Sequence, residues 1–531
     1  MIKNLRLLIV TFSALTFNLN AQDLVLNPSS ITHPVLAKNG MVATQHYLAS
    51  QVGEDILSQG GNAYDAAVAV GFALAVVLPR AGNIGGGGFM VMHDAPSEES
   101  YSIDYREKAP LKASRDMYLN EDGSVNTSRS TIGYLAIGVP GTVYGMWEVH
   151  KKFGSMPWEE LLQPAIELAD SGFEMSPYMT MTLNRSHRKL SQFKETESIF
   201  YKEHPIKFNT SLVQPDLAET LRLIAQKGVA GFYEGEVADK IVSAMEKNGG
   251  LISHRDLKKY RPNWRKPLKS KYRGFDVVTM GPPSSGGIHL IQMLNILENH
   301  NLKSFGHNNP RYVSLLTEVM KYAYADRSEY LGDPDFYKVP VDMLTSKEYS
   351  DAINQSLKLF KFMTPPPTPS SSIEPGEYMR KESIETTHYS IADQYGNIIS
   401  NTYTLNSAYG SGVTIEGTGI LMNNEMDDFS ASPGTPNQFG LLGGEANKIV
   451  PEKRPLSSMT PTIILKEGTP YFATGTPGGS RIITSVLQSI LNIIDFELEV
   501  SDAILKPRIH HQWYPDILQL EKSFNSLHAE T

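Results

Sequence analysis

Two threonines, Thr386 and Thr404, flank a stretch that reads as a β-hairpin. Thr386-Thr-His-Tyr-Ser-Ile-Ala leads into Asp393-Gln-Tyr-Gly-Asn397 and then into Ile398 to Leu405. A three-residue loop at Gln394, Tyr395 and Gly396, with glycine in the left-handed position, is a common hairpin connection. Asp393 then pairs with Asn397, and counting along the strands sets Thr386 opposite Thr404. Directly opposed residues bring their Cβ atoms to about 5 Å, within reach of a hydroxyl–hydroxyl bond. A two-residue loop would slip the register by one and turn Thr404 away. Taken alone, such a pair is first of all a sheet-stabilising contact. It could also do chemistry. A threonine hydroxyl is a poor nucleophile without an adjacent base. A cut in front of Thr386 would create an α-amine with a pKa near ~8. That amine could take the hydroxyl proton directly or through one water. The base would exist only after the cut.

The elements around the hairpin suit this. Upstream, 363–377 carries five prolines and three consecutive serines, which reads as an exposed, extended linker. Gly61 to Leu78 is Ala-rich and continuously apolar after Asp65, so a helix buried on most sides is expected. A glycine run at 85–88 follows and leads into a strand. It matches neither a Walker loop nor G-x-G-x-x-G, which favours close backbone packing over a phosphate site. From 130 to 360 the pattern is mostly amphipathic helices with turns. Leu217 to Lys227 has apolar residues at three and four spacing. Pro164 to Ala169 is read as a helix with its proline in the first turn.

Composition narrows the function classes. Hydrophobic residues make up 41% and charged residues 20% of 531, which is globular. A net charge of −9 argues against a nucleic-acid partner. There is no cysteine, so disulfides, thiolate metal sites and cysteine nucleophiles are excluded. The histidines lack metal-ligand spacing, and no metal site is expected. Residues 1–21 have a basic start at Lys3 and Arg6, an apolar run from Leu7 to Phe17 and a small residue at Ala21. This is a secretory leader pattern, too short for a membrane span. A periplasmic or secreted location is expected, with no membrane span in the mature chain.

Several ordered motifs resemble the γ-glutamyltranspeptidases. They are Glu385-Thr-Thr-His-Tyr-Ser390, Thr402-Tyr-Thr-Leu-Asn406, Leu421-Met-Asn-Asn-Glu-Met-Asp-Asp-Phe-Ser430, Lys453-Arg-Pro-Leu-Ser-Ser-Met-Thr-Pro461 and Gly475-Thr-Pro-Gly-Gly-Ser-Arg481. Gly61-Asn-Ala-Tyr-Asp-Ala-Ala67, Asp104-Tyr-Arg-Glu-Lys-Ala-Pro110 and His510-His-Gln-Trp513 agree too. The resemblance runs from about residue 30 to about residue 522. It implies an α/β N-terminal-nucleophile hydrolase fold, an αββα sandwich of two central sheets between helical layers. It implies self-cleavage at Glu385–Thr386 into a large subunit, 22–385, and a small one, 386–531, intertwined in one unit. Thr386 would be the nucleophile and Thr404 its orienting partner. Gly478 and Gly479 would supply oxyanion N–H donors. Arg106, Ser457 and Ser458 would hold the substrate's α-carboxylate. Asn406, Glu425 and Asp428 would hold its ammonium. Glutathione is the implied donor, with water, an amino acid or a dipeptide as acceptor, and no cofactor.

Residues 433–444 resemble the lid loop of bacterial members of that family, and the resemblance places Phe439 where a gating tyrosine usually stands. A phenylalanine there can cover the pocket but lacks a hydroxyl to donate. The resemblance also implies core strands beyond Phe524, whereas the sequence reaches only Thr531. Missing strands would leave a sheet edge and apolar helix faces exposed. Two other readings stay open: an acylase of the same fold acting on another acyl group, and an uncleaved or catalytically impaired homologue.

Overall fold

The computed structural model describes residues 34–358, 386–432 and 434–524. The leader at 1–21, the proline-rich segment 363–377 and Glu385 lie outside them. Ten strands build the two larger sheets. They are β1 (Gly40–Ala43), β2 (Gly87–Asp94), β3 (Glu99–Asp104), β4 (Asn263–Arg265), β5 (Leu268–Tyr272), β6 (Phe275–Thr279), β7 (Thr387–Asp393), β8 (Ile398–Thr404), β9 (Thr462–Lys466) and β10 (Thr469–Thr474). The first sheet runs β1-β7-β8-β2-β3-β4 and the second β10-β9-β6-β5. Every pairing in both is antiparallel.

The hairpin has the expected register. Ile398 faces Ala392, and the ladder runs on to Tyr403 opposite Thr387. The next step sets Thr404 against Thr386. Gly396 has φ +90°, and Asp393 N–H donates to the Asn397 carbonyl at 3.1 Å. The Asp393 carboxylate accepts from the backbone N–H groups of Tyr395 and Asn397, both at 2.9 Å. It also accepts from the Ala63 N–H and from Asn397 Nδ2, both at 2.8 Å. One side chain thus fixes both the turn and the start of a helix.

Strand alternation decides which residues face the second sheet. Tyr389, Ile391, Ile399 and Tyr403 point outward into the first core, with Met90 and Met92 of β2. The even-numbered hairpin residues therefore point inward, Thr386 and Thr404 among them. Against the outer face lie α1 (Tyr47–Ser58) and α2 (Ala63–Val77). Asn62 and Asp65 close α2 with a capping box, the reciprocal pairing of Ncap and N3 groups. Every residue of α2 is buried, as its apolar run implies. The Tyr389 and Tyr403 hydroxyls donate to the Ala67 and Gly71 carbonyls, both at 2.9 Å, which ties helix to sheet. The glycine run packs backbone against backbone. A Cβ on Gly86 would lie 2.2 Å from the Thr404 carbonyl oxygen.

Pro164 departs from its sequence reading. It lies inside α3 (Trp158–Ser171), not in the first turn. It is half-buried and its missing bond would go to the Glu160 carbonyl, on an exposed residue, so solvent can serve that oxygen. The helical pattern over Leu217 to Lys227 forms α4 (Pro215–Lys227). The region 130–360 also contains β4, β5 and β6, which the helical reading did not foresee.

The second sheet is covered by α5 (Gly286–Leu297), α6 (Pro310–Tyr330) and α7 (Ile482–Ile494). Phe89 and Val91, from the inner face of β2, join this second core. The layers are thus helix, sheet, sheet, helix. Among the described residues no helix is long and apolar enough to cross a membrane. Val500, Ile504 and Leu505 are about half exposed.

Candidate active site

Thr386 and Thr404 are each 4% exposed and line one cleft. Thr404 Oγ1 accepts from the Asn406 N–H at 2.9 Å. Asn406 has φ +77°, a conformation that asparagine tolerates better than most residues. Its Nδ2 donates to the Asn424 carbonyl at 3.0 Å, which joins the end of β8 to the acidic turn. His388 lies one inward position from Thr386. Its ring nitrogens sit 2.9 Å from Thr402 Oγ1 and 3.0 Å from Ser390 Oγ. Burial pushes its pKa down to about 3, so it is a neutral brace for the hairpin's inner face.

Arg106 follows β3 and is fully buried. Its backbone N–H donates to Asp104 Oδ1 at 3.0 Å. Its guanidinium ion-pairs with Glu425 and Asp428 and donates to the Pro455 and Leu456 carbonyls at 3.3 and 3.2 Å. Glu425–Asp428 is a single 3₁₀ turn, and residues three apart on such a turn share a face. That puts both acids toward the arginine. Asn423 holds the turn through Gly85, Gly138 and the Glu425 N–H, at 2.8 to 3.0 Å. Burial raises the pKa of the Glu425 and Asp428 carboxyls, and Arg106 opposes the rise.

Ser457 and Ser458 follow on the loop after Leu456. Ser285, at the start of α5, donates its hydroxyl to the Ser457 carbonyl at 2.7 Å. Ser284 does the same to the Met459 carbonyl at 2.5 Å. Gly478 has φ +145° and Gly479 φ +56°, both conformations that favour glycine. Gly478 caps, and Gly479 begins, the short turn Gly479–Arg481 that leads into α7. Gly479 lines the cleft, whereas Gly478 is not among its lining residues. Phe439 is 5% exposed and lines the cleft with Leu441. Its loop is pinned where Asn437 Nδ2 donates to Asp428 Oδ1 at 3.3 Å and Gln512 Nε2 to the Phe439 carbonyl at 3.2 Å.

Thr386, Thr404, Arg106, Asn406, Glu425, Asp428, Ser457, Ser458, Gly479 and Phe439 therefore share one cleft. Sequence reasoning missed Arg327, which also lines it. The signal was available: Leu316, Met320, Ala323 and Arg327 form one buried stripe on α6, and a cation on such a stripe needs a reason.

A threonine on the inner face of an αββα sandwich, at the end of a hairpin and over a charged cleft, defines an N-terminal-nucleophile hydrolase. A profile described as gamma-glutamyltranspeptidase matches residues 49–530. The chain is 49% identical over 497 residues to the glutathione hydrolase proenzyme of Escherichia coli (strain K12), covering 93% of this chain and 85% of that one. The gamma-glutamyltranspeptidase of Helicobacter pylori superposes with a TM-score of 0.61 at 44% identity, over 65% of this chain and 97% of that chain. A cephalosporin acylase from Bacillus halodurans gives a TM-score of 0.78 at 27% identity, over 94% and 89%. The chain belongs to the gamma-glutamyltranspeptidase family.

Proposed function

We propose that this protein is a self-processing γ-glutamyl hydrolase and transferase that acts on glutathione and related γ-glutamyl amides. The observation that carries the reading is the single cleft shared by Thr386, Thr404, Arg106, Glu425 and Asp428. Cleavage between Glu385 and Thr386 frees the α-amine of Thr386. That amine takes the Thr386 hydroxyl proton as Oγ bonds to the γ-carbonyl carbon. Thr404 orients the hydroxyl. The oxyanion receives N–H donors from Gly478 and Gly479. The C–N bond then breaks, and the leaving amine carries off the proton held by the α-amine. Water attacks the resulting ester to give glutamate, or an acceptor amine attacks it to give a new γ-glutamyl amide. Both routes regenerate Thr386.

Arg106, Ser457 and Ser458 bind the donor's α-carboxylate, and Asn406, Glu425 and Asp428 bind its ammonium. Arg106 with the acids Glu425 and Asp428 suits an α-amino-acid head, and buried polar groups reject acyl groups that leave them unpaired. This disfavours a plain acylase despite the acylase neighbour. The leader at 1–21 directs the chain to the periplasm or outside the cell. The segments 22–385 and 386–531 remain together as large and small subunits.

The test is a denaturing gel of the purified protein beside a γ-glutamyl-anilide assay with and without glycylglycine. Two bands and acceptor-stimulated turnover are expected, and Thr386→Ala should abolish both. A single uncut band without turnover contradicts the reading.

A further inference from the structure

Arg327 is a buried guanidinium that the scheme above does not use. It projects from α6 and is 5% exposed. Its Nε donates to Ser285 Oγ at 3.1 Å, and its Nη2 donates to Ser458 Oγ at 3.2 Å. Both partners are hydroxyls, and among the described residues no carboxylate pairs with it. The other cation lining the cleft, Arg106, has the carboxylates of Glu425, Asp428 and Glu107 within ion-pair reach. Arg327 is thus an unneutralised positive charge behind the Ser458 hydroxyl. Burial lowers its pKa to about 10, with Asp428 acting against that fall and Arg106 adding to it. It stays charged at neutral pH.

The hydrogen-bond directions have a consequence. A hydroxyl has one proton to give and two lone pairs to accept with. Guanidinium donates only, so Ser458 Oγ must accept from Arg327 and keeps its proton for another partner. Ser285 Oγ likewise accepts from Arg327 and gives its proton to the Ser457 carbonyl. One planar fork therefore sets the polarity of Ser458 and braces the peptide that carries it. Lysine, a point charge without a rigid fork, could not do both.

We propose that Arg327 is a positioning residue for donor recognition: it fixes Ser458 as a hydrogen-bond donor toward the α-carboxylate and supplies the cleft's unpaired positive charge. The proposal rests on the γ-glutamyl reading, with wild-type turnover of γ-glutamyl-anilide as its separate control. If the wild type cuts itself but turns over no γ-glutamyl-anilide, the functional reading fails. If the wild type is active, the variants decide the role of Arg327.

The experiment measures kcat and KM for γ-glutamyl-anilide, and the apparent KM for glycylglycine, in Arg327→Met and Arg327→Lys, with the cut fraction read on a gel. For Arg327→Met the donor KM should rise about tenfold or more, the scale of one lost charge-assisted interaction. The kcat per cut molecule and the glycylglycine KM should change little. Arg327→Lys should fall between, because it restores charge but not the fork. Adding Ser458→Ala to Arg327→Met should cost less than the two single effects combined, since both act on one contact. An unchanged donor KM in cut Arg327→Met overturns the proposal. If that variant stays uncut, an unchanged KM in Arg327→Lys does the same. Failure of both variants to mature overturns it in favour of a folding role.

Discussion

Arg106 is shared by three carboxyls. Glu425 and Asp428 pair with it directly, and fully buried Glu107 lies 3.7 Å from its Nη1. Burial, opposed by Arg106, pushes Glu107 up to about 7. In the unfolded chain a glutamate titrates near ~4.3. Between those values the folded protein holds more protons than the unfolded one, so stability falls as pH rises across the window. Glu107→Gln removes that slope. Apart from a pH-independent offset, the variant should gain on the wild type from pH 4 to 8, by on the order of 3 kcal/mol at most. Urea titrations at several pH values check this, and parallel stability curves would contradict it. At this scale the sequence was informative where local geometry decides. Loop length and alternation place Thr386 against Thr404 with no knowledge of the rest of the fold. The approach of Arg327 to Ser458 depends on how α6 packs over the second sheet, which no local pattern encodes.

The hairpin depends on Asp393, whose carboxylate accepts from Ala63, Tyr395 and Asn397. Asp393→Ala would orphan buried N–H groups at a turn and at a helix start. A loss of about 3 kcal/mol is expected, since each bond to a charged acceptor is worth about 1.5–3 kcal/mol and losses at one site overlap. The urea midpoint measures it, and a loss under about 1 kcal/mol would show that solvent replaces the carboxylate. Helix α2 was legible from its continuous apolar run, and its fully buried residues agree with that reading. The β5–β6 hairpin was not. Its turn is Arg273-Gly274, with φ +50° and +86°, so the usual Asn-Gly or Asp-Gly signal is absent. Its first strand reads Leu-Lys-Ser-Lys-Tyr, with both lysines exposed. Pro164 was misplaced because a proline's side of the helix, not its sequence neighbours, decides whether the lost bond is tolerable.

Across the molecule, the two halves of the chain are interleaved. Strands β7 and β8, after the proposed cut, sit between β1 and β2, before it. In the second sheet β9 pairs with β6. Cutting at Glu385–Thr386 breaks neither pairing, so the two fragments should co-elute on a sizing column and separate only in denaturant. The layer order was legible through the family resemblance, whereas the interleaving arises from long-range pairing. The most direct test is acid-quench mass spectrometry of the protein caught during turnover of a γ-glutamyl donor. The smaller fragment should begin at Thr386 and carry one γ-glutamyl group on that residue. Turnover by an uncut chain, or a γ-glutamyl group on any other residue, would contradict the account.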